Sequence, residues 1–170
     1  MENSVMKILL GLGMGLSLLA FIPQAQAQPA YGSYVGGGLS FGVSEGNVNS
    51  GEGKNTSVVA AIRYKFLEIP ISLRAQVLFG SSTAFVPTVS YDYPLNFDTD
   101  IYLGAGVALT NSASNTPVGN KTAFVIQPGI DYTIPNSSLV IFGNIIFAFD
   151  GYRNGGGTAT ALQTGVGVRF

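Results

Sequence analysis

The chain contains no cysteine, no histidine and no tryptophan, and only eight Lys or Arg and nine Asp or Glu in 170 residues. Each absence narrows the possibilities. Without cysteine there is no disulfide, no thiolate nucleophile and no lipid attachment at an N-terminal cysteine. Without histidine the commonest general base and the commonest metal ligand are missing. A net charge of −1 with no basic cluster leaves no electrostatic footprint for nucleic acid. Charged residues make up 10% of the chain, against about a quarter in an ordinary soluble domain. Either the outside of the folded protein is polar without being charged, or its outside is not in water.

One long apolar run is present, from Ile8 to Ile22, followed by Pro23-Gln24-Ala25-Gln26-Ala27. Small residues at 25 and 27 stand where a signal peptidase reads, so residues 1–27 are expected to be a secretory signal peptide cleaved after Ala27. The run is about 15 residues, short of the roughly 20 that span a bilayer as a helix. Glu2 offsets Lys7 in the leading segment, and Met6 offers a second possible start. Residues 28–170 then form one exported domain.

Downstream, helical periodicity is absent and alternation of period two recurs in segments of about 9 to 11 residues, separated by Gly, Asn, Ser and Pro clusters. There are eight such segments: 34–43, 56–66, 71–79, 85–93, 101–109, 123–132, 139–149 and 161–170. The second opposes Val58, Ala60, Ile62, Tyr64 and Phe66 to Ser57, Val59, Ala61, Arg63 and Lys65; the fifth opposes Ile101, Leu103, Ala105, Val107 and Leu109 to Tyr102, Gly104, Gly106 and Ala108. In the seventh, both faces are apolar apart from Asn144, so its register stays open.

Composition of the second face decides which side is outside. A water-facing sheet surface is rich in Lys, Glu, Asn and Thr, whereas here it is mostly Gly, Ala and Ser, as in a narrow lumen. The apolar face carries no charge in any segment, as a lipid-facing band requires. Connections alternate in length: 44–55 and 110–120 are long and 150–157 intermediate, while 67–70, 94–99 and 133–138 are shorter, with 80–83 a short exception. Aromatic residues gather toward strand ends, with Tyr64, Phe66, Tyr91, Tyr93, Tyr132 and Phe170 at one and Phe41, Phe79, Phe85, Phe147 and Phe149 at the other, as two interfacial girdles. The expected fold is all-β, an eight-stranded antiparallel up-and-down transmembrane β-barrel.

The chain ends in Gln163-Thr164-Gly165-Val166-Gly167-Val168-Arg169-Phe170. Gln163, Gly165, Val168 and Phe170 form a pattern that resembles the terminal strand signal of bacterial outer-membrane barrels, read by the barrel-assembly machinery through strand addition. Residues 28–170 thus resemble the small eight-stranded outer-membrane barrels, similar to the OmpA transmembrane domain, OmpX and the opacity-type proteins under the loose porin umbrella. The resemblance implies a bacterial outer membrane location, with lipid and the assembly machinery as partners and surface loops able to meet a ligand. No periplasmic peptidoglycan-binding domain is expected.

On the inward face, Arg63, Lys65, Arg74 and Arg169 with Asp92 and Asp131 point to a luminal charge network, with Asp100 or Glu68 completing the balance. Buried charges must be paired, so a plug that rigidifies the barrel is expected, with a selectivity ring as the alternative. No catalytic residue, metal site or cofactor is expected; lipid-modifying barrels of similar size use His-assisted Ser chemistry. Gly155-Gly156-Gly157 precedes a strand, not a helix, and so is no phosphate loop. Pro87 and Pro128 inside strands predict bulges or shifted strand starts. Gly36-Gly37-Gly38 is expected to make room for Tyr102 or Phe142. Three functions remain open: a closed non-enzymatic envelope or surface protein, a narrow pore for ions or very small solutes, and a secreted soluble barrel holding an apolar ligand.

Overall fold

A strand that is apolar on one face leaves its backbone groups unpaired along both edges, and a sheet removes every edge only by closing on itself. In a computed structural model of the chain, which describes residues 32–47, 49, 52–110 and 115–170, eight strands do this. They are β1 (Tyr34–Gly42), β2 (Thr56–Lys65), β3 (Ile71–Phe79), β4 (Thr83–Pro94), β5 (Thr99–Thr110), β6 (Ala123–Thr133), β7 (Leu139–Phe149) and β8 (Ala159–Arg169). Each pairs antiparallel with its chain neighbours, and β8 closes the barrel on β1 from Tyr34↔Arg169 to Gly42↔Ala161. The expected signal peptide, residues 1–27, lies outside the described residues.

The short turns 66–70, 95–98 and 134–138 share one end of the barrel with residue 170, whose amide bonds the Ser33 carbonyl. The strand pairs β1–β2, β5–β6 and β7–β8 are joined in sequence at the other end by the longer connections, and there 80–82 is a tight hairpin.

Alternation settles which side each residue takes. Val58, Val89, Leu103 and Val166 are about half exposed on the outside, while Val59, Ala61, Val86 and Val125 are buried within. In β7, Val140, Phe142, Asn144, Ile146 and Ala148 point inward, which resolves the open register. No charged residue occupies an outward position in any of the eight strands.

Two expectations are corrected. Neither Pro87 nor Pro128 makes a bulge. The β4–β5 register passes from Phe85↔Leu109 to Thr88↔Gly106 without a shift, and β6–β7 passes from Ile126↔Phe147 to Gly129↔Asn144 in the same way. A proline lacks one N–H, so it interrupts the ladder on one side only; Pro87 stays paired to Ala75 and Pro128 to Leu103. The Gly36-Gly37-Gly38 run does not shelter a large ring either. A Cβ at Gly38 would lie 2.0 Å from the Thr164 carbonyl oxygen and one at Gly36 2.5 Å from that of Val166, so these two glycines serve the close approach of β1 to β8. Space for Phe142 comes from Gly165, and space for Tyr102 from Gly129.

Candidate functional site

The lumen is filled in layers. At the turn end, β2 carries Arg63 and Lys65 inward, β3 carries Arg74, β4 Asp92, β5 Asp100 and β6 Asp131. Register places Arg63 directly opposite Arg74 and Asp100 directly opposite Asp131, two like-charge pairs that repel when isolated. Closure of the barrel faces one pair with the other. Arg63 reaches Asp92 at 2.7 Å, Asp100 at 2.9 Å and Asp131 at 3.0 Å. Arg74 reaches Asp131 at 2.8 Å and Asp92 at 3.3 Å, and Lys65 reaches Asp100 at 2.7 Å. Three cations meet three carboxylates, and the layer is neutral.

Neighbouring hydroxyls take up further donors and acceptors of the layer. Arg63 Nε donates to Ser72, Arg74 Nε to Ser90, both serine hydroxyls donate to Asp92, and Tyr34 donates to Asp131. The Arg74 guanidinium also lies 3.4 Å from the centroid of the Tyr102 ring, a cation–π contact. One open choice is resolved here and one sequence expectation changes. Asp100, not Glu68, supplies the third carboxylate; Glu68 is exposed in the first turn. Arg169 stands outside the network: at the last position of β8 its guanidinium donates to the Ser137 carbonyl in the turn after β6.

Beside this layer, Tyr34 stacks on Phe142 with centroids 5.8 Å apart. An uncharged polar section follows, in which Thr88 donates to Gln127 and Gln163 to Ser40. Gln76, Gln127, Asn144 and Gln163 each keep at least one buried polar atom without a protein partner, unlike the ion-paired groups below them.

The loop end is closed by a structure that the sequence did not announce. Thr116, Val118 and Tyr152 are buried, and Val118 and Tyr152 belong to the same apolar cluster as Ala84, Ala108 and Ala148 of the barrel wall. At its centre sits Glu52, 1% exposed. Its carboxylate accepts from the Asn120 side chain at 2.8 Å and from the backbone amides of Asn47 and Asn154 at 3.1 Å each, with a further backbone contact from Arg153. Burial works against the charged form, but these donors outweigh it and hold the carboxyl below the usual glutamate range. One side chain thereby joins all three long connections. Asn120 and Arg153 reinforce it with two bonds of their own, and Tyr152 bonds Ser44.

Every luminal carboxylate faces a cation, and among the described residues no group of three or more His, Cys, Asp or Glu could hold a metal ion. Of the terminal-signal residues, Gln163 and Gly165 face the lumen, against Ser40 and Phe142, while Val168 and Phe170 face out.

No protein-family model matches the chain, and no curated protein sequence matches it significantly. Solved structures do match in fold. Neisserial surface protein A (NspA) aligns with a TM-score of 0.56 at 14% identity, over 84% of this chain and all of that one. Ail, the attachment invasion locus protein of Yersinia pestis, aligns at 0.55 and 13%, over 81% of this chain and 97% of its own. A de novo designed transmembrane β-barrel aligns at 0.55 and 12%, over 85% and 98%. The fold is that of small eight-stranded transmembrane barrels.

Proposed function

We propose that the chain is an integral outer-membrane β-barrel without enzymatic activity, closed to solutes, whose role is exercised at the surface formed by its three long connections. The single observation that carries this reading is the combination of an outward face without charge and a lumen filled from end to end. An eight-stranded barrel is just wide enough for its side chains to fill it, and here the filling is an ion-paired layer at one end and a buried cap at the other. The charge layer acts as a plug that rigidifies the barrel, because each charge is held by partners on other strands. Lipid is the partner of the outer wall. The barrel-assembly machinery is the partner of the terminal strand, through Gln163, Gly165, Val168 and Phe170.

The cap is suited to display. Glu52 ties described residues of the three connections together, so an approaching partner meets a surface that is partly formed beforehand. Ail has also been solved in complex with a heparin analogue, sucrose octasulfate, so a barrel of this fold can take a ligand. The rim here is less suited to a polyanion: Lys54 is paired to Glu45 and Lys121 to Asp150. An uncharged polar partner matches this cap better.

Fractionation with electrophoresis of unheated and boiled samples tests the reading. Recovery with outer membranes and a heat-dependent mobility shift are expected; recovery as a detergent-independent soluble protein refutes it. In planar bilayers the purified protein is expected to show no steady unit conductance, and steady openings would replace the closed lumen with a narrow pore.

A further inference from the structure

The outward alternation does not stop where the strands end. In β3 the outward positions are Ile71, Leu73, Ala75, Val77 and Phe79, and the same parity runs back into the preceding turn as Ile69 and Leu67. In β4 it runs forward from Tyr91 and Tyr93 into Leu95 and Phe97. Leu67 is 74% exposed, Leu95 54%, Ile69 48%, and Phe97 is fully exposed. Charged Asp98 takes the other parity, and Glu68 does so relative to β3, although it follows the outward parity of β2. The turn after β6 behaves differently: past Ile134 it continues as Pro135, Asn136, Ser137 and Ser138.

Turn tips in water normally carry polar, Gly or Pro residues, and several large apolar side chains half to fully exposed at two tips on the same end mark a surface that is covered in use. The observations favour lipid over a protein. Leu67 and Ile69 continue the outward parity of β3, Leu95 and Phe97 that of β4, and Phe66, the last residue on the outward parity of β2, meets Tyr64 of the wall edge to face at 5.4 Å. Whatever wets the band therefore wets its extension.

We propose that the turns after β2 and β4 are membrane anchors, with Leu67, Ile69, Leu95 and Phe97 entering the headgroup–acyl boundary of the periplasmic leaflet, while the turn after β6 stays in water. This rests on the membrane-spanning reading above. Its consequence is a tilted seat: the apolar surface reaches further toward the periplasm on the β2–β5 side than on the β6–β7 side. The tight 80–82 hairpin at the other end of β3 and β4 fits the same displacement.

The chain has no tryptophan, so single substitutions report without background. Leu67→Trp, Leu95→Trp, Phe97→Trp, Ser138→Trp and Val89→Trp are reconstituted separately in phosphatidylcholine vesicles brominated either high on the acyl chain or near its end. Three different turn positions keep the test available should one variant fail to fold. Val89→Trp, at the middle of the wall, should be quenched most by the deep bromines. The Leu67, Leu95 and Phe97 variants should emit at shorter wavelength than tryptophan in water and be quenched most by the high bromines, and Ser138→Trp should show water-like emission with little quenching. Water-like emission at all three apolar positions, with Val89→Trp quenched, overturns the anchors and points to a protein covering them. Equal quenching at Ser138 overturns the asymmetry on which the proposal is built. An unquenched Val89→Trp overturns the membrane-spanning reading and the anchors together.

Discussion

Arg63 and Arg74 stand side by side on β2 and β3, and each is tolerated only because Asp92 and Asp131 bridge them. Removing one member of such a set leaves the others buried with their charge uncompensated. Arg74→Ala should therefore lower stability to urea in detergent by about 3–5 kcal/mol. Arg74→Lys should recover only part of this, because a point charge cannot bond Ser90, Asp131 and Tyr102 together. That inward residues of β2, β3, β4 and β6 are charged is visible from parity in the sequence. That Arg63 meets Asp131 is not, since their strands come together only across the lumen.

Glu52 makes the opposite case. Nothing in Gly51-Glu52-Gly53-Lys54 distinguishes it from an ordinary loop glutamate; its importance comes from the amides of Asn47 and Asn154 and the side chain of Asn120 closing around it. Its folded pKa is lowered, so the carboxylate stabilises the cap above the unfolded value of about 4.3. That contribution is lost as pH falls through the depressed folded value. Hydrogen exchange at the Asn47 and Asn154 amides should accordingly stay slow from neutral pH down to about 4 and rise only below it. In Glu52→Ala the same amides should exchange roughly tenfold faster or more at neutral pH, the loss of a charge-assisted hydrogen bond, with the strands unaffected. Unchanged protection in the variant would show that the cap does not depend on this residue.

Among the strands, glycine positions separate sharply by what lies beside them. A Cβ at Gly38 would meet the Thr164 oxygen at 2.0 Å and the Gly165 Cα at 2.6 Å, both backbone, whereas at Gly143 the nearest atom is 3.8 Å away. Gly38→Ala should thus force β1 off β8 and reduce the heat-resistant folded form severely, at a cost of several kcal/mol. Gly143→Ala should change stability by less than about 0.5 kcal/mol, and electrophoresis of unheated samples compares the two directly. Strand existence, count and facing were readable from period-two alternation, because side-chain direction in a strand depends only on parity. Strand ends were not: β4 and β5 run to Pro94 and from Thr99 because pairing with neighbours extends them. Nor was the effect of Pro87 and Pro128 readable. Whether a proline forces a bulge depends on which neighbour its missing N–H faced.

For the barrel as a unit, the proposed function assigns assembly and display to different parts of the chain. Deleting Phe170, which faces out beside the closing seam, should reduce insertion into the outer membrane of cells far more than deleting Asn49 from the first long connection. Equal insertion of the two variants would remove the terminal strand as an assembly signal. The scarcity of charge, the eight alternating segments and the uncharged outward face are properties of local sequence, and they suffice to name an all-β barrel with hydrocarbon as the solvent of its outer wall. The neutral six-charge layer, the exclusion of Arg169 from it, the pairing of Phe142 with Gly165 and the Glu52 clasp depend instead on contacts between residues up to 102 positions apart. Those contacts are set by eight registers acting together. Parity is fixed by each residue's immediate neighbours, whereas partners across the lumen exist only once the last strand has met the first.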